Sequence, residues 1–325
     1  MNKIYGLMAF LGWASRRGPV NFSEKLFDEI LENCAAKGVN TVMWNVADGI
    51  QYKSHPEVAT EGALPAQYVR DMVKKMKSMG ITPMPKLNFS TSHDAWMGDW
   101  TYRVSSKAYY GFCRDMIAET AELFDGPEIF HIGLDEEDAI HQKGRQYIVF
   151  RDGDLKWSDY NFYMDCVKEN GARPAAWSDV FWYDPEGCVK NISKDLILFP
   201  WYYGSIHPEN YRPIAEREEW IEWYAKPEYA GMDIRFVEDD PDWVRQRKTL
   251  LTAPQAGYDV IPCVSTFYGC QHNTEDVMEY VEANVPQKQI LGYMTAPWKH
   301  TTEEFREDFD LSIDLMQNAK KKLGL

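Results

Sequence analysis

The stretch His131-Ile-Gly-Leu-Asp-Glu-Glu-Asp138 holds the densest chemistry in the chain. It follows the apolar run Pro127-Glu-Ile-Phe130 and precedes a polar segment starting at Ala139, the pattern of a buried strand running out into a loop. Alternate residues of a strand share a face, so His131, Gly133 and Asp135 point one way, and Glu136 follows where the strand breaks up. Two adjacent carboxylates can be driven to different pKa values and divide the acid and base work on a glycosidic bond. The same letters also describe a solvated acidic turn, which is common on surfaces. The choice depends on what the rest of the chain brings to the same place.

Strand and helix signals alternate about eight times along the sequence. Strands are expected over 4–10, 40–46, 81–87, 127–131, 175–180, 196–203, 259–264 and 290–295. Helices are expected over 23–38, 65–80, 105–124, 157–170, 242–256, 275–283 and 302–322, with Leu26, Phe27, Ile30, Leu31 and Cys34 forming one apolar stripe. Eight such units over 325 residues predict an α/β protein, a single (β/α)8 TIM barrel occupying 1–325. A polar, aromatic-rich insertion is expected at about 204–241, as a surface excursion, a lid or a homodimer surface.

Composition narrows the partners. A hydrophobic content of 45% is ample for one large core. The net charge of −15 argues against nucleic acid or an anionic membrane as partner, since both need basic patches. No apolar run is long enough to span a bilayer. The six cysteines form no C-x-x-C pair and read as reduced core residues. The N-terminus reads as a first strand in a cytoplasmic protein, although a chain trimmed of a secretion signal would look the same.

In a barrel of this kind chemistry sits where the strands end. The expected exits present Trp44, Asn45 and Asp48; Asn88, Ser90 and His93; Asp135 and Glu136; Trp177, Asp179 and Trp182; Trp201, Tyr202 and Tyr203; Phe267 and Tyr268; and Trp298, Lys299 and His300. This is an aromatic-walled cup with carboxylates at its floor. Sugars stack their C–H faces on aromatic rings and bond their hydroxyls to carboxylates and amides, so a carbohydrate is the expected partner.

These residues resemble the family 20 glycoside hydrolases, the β-N-acetylhexosaminidases. His131-Ile-Gly-Leu-Asp-Glu136 is similar to that family's His-x-Gly-Gly-Asp-Glu. Asn40-Thr-Val-Met-Trp-Asn-Val-Ala-Asp48, Pro56-Glu-Val-Ala-Thr-Glu-Gly62, Ile81-Thr-Pro-Met-Pro-Lys-Leu-Asn88 with His93 beyond it, and Trp177-Ser-Asp179 resemble further segments over about 40–180. The resemblance implies retaining hydrolysis assisted by the substrate's own 2-acetamido group, with no cofactor and no metal. Asp135 would orient the acetamido N–H. Glu136 would protonate the leaving oxygen and then activate water, a role helped by desolvation and a charged neighbour. His93 would bond near Glu136; His131, Trp177, Asp179, Trp201 and Trp298 would build the sugar pocket, and Tyr268 would donate to the acetamido oxygen.

The sequence departs from the family pattern at definite places. Leu134 stands for the motif's second glycine, Asn45 for a histidine, and Lys86 and Asn88 for acids. Lys299 and His300 follow Trp298 where a carboxylate is usual, so Lys299 or His300 is expected to favour a sugar bearing sulfate or carboxylate. Two other readings stay open at this point. His131, Asp135, Glu136 and His141 could ligate a metal in a sugar isomerase or epimerase, and the barrel could bind glycans without cleaving them. His55, His207 and His272 read as structural.

Overall fold

The first strand, Ile4–Phe10, is buried along its whole length, as a parallel strand covered on both faces must be. Its two faces go to different cores. Ile4, Met8 and Phe10 point inward with Met43, Met84, Ile197 and Met294. Tyr5, Leu7 and Ala9 point outward, into the layer shared with Phe27, Ile30 and Ile313 from the surrounding helices. This computed structural model describes residues 3–13, 17–143, 145–146, 148–204, 206, 241–267 and 269–325.

Seven further strands complete the sheet: Thr41–Asn45, Thr82–Lys86, Ile129–His131, Arg173–Trp177, Ile197–Phe199, Cys263–Val264 and Gly292–Thr295. They hydrogen-bond in the spatial order sixth, fifth, fourth, third, second, first, eighth, seventh, and every pairing is parallel. Parallel bridges from Leu198 to Val260 and from Trp201 to Cys263 join the sixth strand to the seventh and close the ring. The chain therefore forms a (β/α)8 barrel with its helices outside.

The helices follow the expected pattern closely. Ser23 caps Glu24–Lys37, its side chain accepting from the Leu26 amide, and Gly38 ends the helix at φ 72°. The expected apolar stripe is the buried one. The fifth strand ends earlier than the sequence suggests, at Trp177, so that Asp179 opens the short helix Asp179–Tyr183. The seventh strand keeps only Cys263–Val264 and a bridge at Val260, because Pro262 between them offers no N–H. The long loop after the second strand contains an unforeseen parallel ribbon, Ile50–Gln51 against Leu64–Pro65. The insertion at 204–241 falls almost wholly outside the described residues. No helix among the described residues is long and apolar enough to cross a membrane. All six cysteines are free and buried.

One buried ion cluster ties the acidic loop to the barrel wall. Arg151, 3% exposed, donates to Asp159 Oδ2 at 3.2 Å, to the Tyr163 hydroxyl at 2.9 Å, to the Phe89 carbonyl at 3.1 Å and to Glu137. Glu137 also accepts from the Thr91 amide at 3.0 Å. One guanidinium thus joins the helix Gly153–Glu169, the exit of the third strand and the loop after the fourth. Removing it leaves two carboxylates short of a counter-charge in a desolvated place. Arg151→Met is expected to lower unfolding stability by about 3–5 kcal/mol, measured by urea denaturation; a loss under about 1 kcal/mol would show that the cluster does not hold the loop.

Candidate active site

The carboxylate motif leaves the fourth strand through a kinked backbone. Gly133, Leu134 and Glu136 have φ of 76°, 71° and 51°, left-handed values that side chains other than glycine rarely adopt. Gly133 is required here, because a Cβ at this position would lie 2.0 Å from Asn88 Oδ1 and 2.7 Å from Asn88 Cα. Neighbouring strand exits pin the kink. The Leu134 amide donates to Asn88 Oδ1 at 3.1 Å and the Glu136 amide to Asp179 Oδ1 at 2.9 Å. Ser90 and Ser92 hydroxyls donate to the Asp135 and Glu136 carbonyls, and the Trp177 amide donates to the Gly133 carbonyl at 3.0 Å.

The two side chains share one partner and each has another of its own. Asp135 Oδ1 accepts from Asn88 Nδ2 at 2.7 Å, and its Oδ2 lies 3.3 Å from His93 Nε2. Glu136 Oε2 lies 3.0 Å from the same His93 nitrogen and 3.3 Å from His141 Nε2. Asp138 grips the other ring nitrogen of His141, with both carboxylate oxygens 2.9 Å from Nδ1. Burial works against charge on both histidines, and the acids around them outweigh it. His93 is raised by Asp135 and Glu136, and His141 is raised to about 9 by Asp138 and Glu136. Asp179 is pushed well above the usual carboxylate range, first by burial and then by Asp135, while its Oδ2 accepts from Trp201 Nε1 at 2.9 Å.

Aromatic rings continue outward from these acids. Trp177 contacts His131 at 4.6 Å and Trp298 at 5.7 Å between ring centroids. Trp298 reaches Tyr203 at 6.3 Å, Tyr203 stacks on Trp201 at 5.3 Å, and Trp201 meets Trp182 at 4.5 Å. Beneath this wall His131 is fully buried between Trp177 and Phe199, so it packs the floor and supports the surface above it. Burial and the charge of Lys86 hold its imidazole neutral, well below the ordinary range.

His93, Asp135, Glu136, Asp179 and Trp201 therefore come together in one hydrogen-bonded group, with Trp177 and Trp298 against it. Tyr268 lies outside the described residues. The Lys299 ammonium sits 5.1 Å over the Phe305 ring. Sequence reasoning treated His141 only as a metal ligand and gave Asp138 no role, although an acid and a histidine three residues apart in the tail of the motif were visible. His93, Asp135 and Glu136 each offer one ligand atom, all within 4.8 Å of one another, an arrangement able to hold a metal ion.

No sequence-family model matches the chain, and no curated protein sequence matches it. Solved structures do. A β-N-acetylhexosaminidase from Bacteroides fragilis superposes with a TM-score of 0.65 at 14% identity, over 97% of this chain and 65% of that one. A family 20 exo-β-N-acetylglucosaminidase from Vibrio harveyi gives 0.60 at 14% identity, over 98% and 54%. Dispersin B gives 0.57 at 12% identity, over 98% and 99%. The chain thus spans under two thirds of the first two and nearly all of the third. At these identities the likeness is one of fold: the barrel is of the kind that family 20 glycoside hydrolases use for catalysis.

Leu134 sets two effects against each other. Replacing it with glycine relieves left-handed strain of about 1–2 kcal/mol and removes a side chain that is 1% exposed, a loss of about 2–5 kcal/mol. Burial should win, with Leu134→Gly less stable by about 1–3 kcal/mol in thermal or urea unfolding. A stabilised variant would mean that strain governs the motif.

Proposed function

We propose that this chain is a glycoside hydrolase that removes a terminal β-linked N-acetylhexosamine, with the sugar's 2-acetamido group as nucleophile. The observation that carries the reading is the Asp135–Glu136 pair, consecutive in sequence yet both within reach of His93 Nε2, with Asn88 on Asp135 and His141 on Glu136. Asp135, already tied to Asn88, orients the acetamido N–H and balances the positive charge that develops on it. The acetamido oxygen attacks C1 as the C1–O bond to the leaving group breaks. The leaving oxygen takes its proton from Glu136. Water then attacks C1, returns a proton to Glu136 and restores the acetamide. His93 and His141 hold Glu136 in place on one side. Trp177, Trp201 and Trp298 wall the ring. The neighbours named as N-acetylhexosaminidases, one of them solved with N-acetylglucosamine bound, support the substrate class. The whole chain acts as one catalytic domain.

An aryl β-N-acetylglucosaminide tests this directly. Wild type should turn it over and leave the matching aryl β-glucoside untouched, since the glucoside lacks the internal nucleophile. Glu136→Gln should lose about 10²–10⁴ in kcat/KM, and less when the leaving phenol is acidic enough to depart unprotonated. Asp135→Asn should lose at least about tenfold, through kcat. Equal turnover of glucoside and N-acetylglucosaminide, or a Glu136→Gln variant as fast as wild type, would remove the mechanism.

A further inference from the structure

We propose that His93, Asp135 and Glu136 also form a binding site for a zinc-class divalent ion, and that the bound ion switches hydrolysis off. The inhibitory half rests on the function proposed above; the binding half does not. His93 Nε2 lies 3.3 Å from Asp135 Oδ2 and 3.0 Å from Glu136 Oε2, and His141 Nε2 lies 3.3 Å from that same Glu136 oxygen. Bonds of about 2.0–2.1 Å to a tetrahedral ion put its ligand atoms about 3.3 Å apart. The two contacts of His93 already match that spacing, and all three ligand atoms lie within 4.8 Å of one another. An ion bound here would take the place of any proton on His93 Nε2.

The surroundings match a metal site as well. Metal-bound histidines commonly give their second ring nitrogen to a carboxylate, which fixes the ring. Asp138 does this for His141, holding Nδ1 at 2.9 Å and leaving Nε2 turned toward Glu136. Asn88 does the equivalent for Asp135, occupying Oδ1 at 2.7 Å and leaving Oδ2 toward His93. The donor set, one imidazole and two carboxylates with a second imidazole adjacent, suits zinc, cobalt or nickel better than magnesium or calcium. The ligand side chains are 14% exposed for His93 and Asp135 and 28% for Glu136, so an ion can enter from the mouth. Once there, it would occupy the lone pairs of Glu136 that must carry the reaction's proton and the Asp135 oxygen that must face the amide.

The test uses full-length protein dialysed against EDTA. Calorimetry with zinc chloride should show one equivalent bound, and cobalt chloride should give the visible absorption of a four- or five-coordinate ion. His93→Gln and Glu136→Gln, each checked for folding by circular dichroism, should weaken binding at least about tenfold, and Asp138→Asn by about 10–100-fold. His272→Gln, an exposed histidine outside the proposed ligand set, should bind as wild type does. No binding, or the same affinity in wild type and His93→Gln, overturns the site. One equivalent of zinc bound with hydrolysis unchanged overturns the inhibition. Zinc bound, but no hydrolysis of any N-acetylhexosaminide in the metal-free protein, leaves the site standing while removing the hydrolase reading and the inhibition with it.

Discussion

The site depends on a backbone that turns left-handed where a strand would run straight. Consecutive strand residues point to opposite faces, so an extended Asp135–Glu136 would send one carboxylate to the cup and the other into the wall. Positive φ at Gly133, Leu134 and Glu136 prevents this. Two of those residues carry side chains, at roughly 1–2 kcal/mol each. The offset comes from the hydrogen bonds that Asn88, Ser90, Ser92 and Asp179 make to the kinked segment, each contributing about 1 kcal/mol net. Strain and anchoring nearly cancel, and what remains is a fixed direction for each acid. The third and fifth strands hold the fourth strand's exit in place, which is why the barrel must close before the chemistry can exist.

The sequence was most legible where physics is local. Helix stripes, the Ser23 cap and the Gly38 stop follow from spacing and side-chain type, and they stand where expected. Strand count and order followed from the alternation. Strand ends were less legible, because they depend on which partner is beside them: Pro262 shortens the seventh strand, and Asp179 leaves the fifth to open a helix, where its carboxylate accepts from the Glu136 amide. Within the site, the carboxylates, His93 and the tryptophans could be named from their positions at strand exits. The supporting contacts could not. Ser92 to the Glu136 carbonyl, or Trp201 to Asp179, cross from one strand exit to another, and only the closed sheet brings them within reach.

Around the acids, positions 45, 86 and 88 arrange charge in a coordinated way. An acid at position 88 could only accept hydrogen bonds and would add a third negative charge beside Asp135 and Glu136. Asn88 is neutral and does two jobs at once, donating from Nδ2 to Asp135 and accepting at Oδ1 from the Leu134 and Ser90 amides. Two residues earlier, on the inward face of the same strand, Lys86 is 2% exposed, with its ammonium 3.4 Å from Asn45 Oδ1 and 5.7 Å from the Trp177 ring centre. Burial outweighs the opposing attraction of Asp135 and brings Lys86 down to about 8. As a cation it attracts Asp135, and the attraction is mutual. A lysine at this place is compatible only with a partner at position 45 that accepts a hydrogen bond without carrying charge of its own sign, and Asn45 meets that condition where a protonated histidine would not. Asn45, Lys86 and Asn88 thus work as one unit: a positive charge under the cup floor, a neutral amide to receive it, and a neutral amide above to hold the acid it faces.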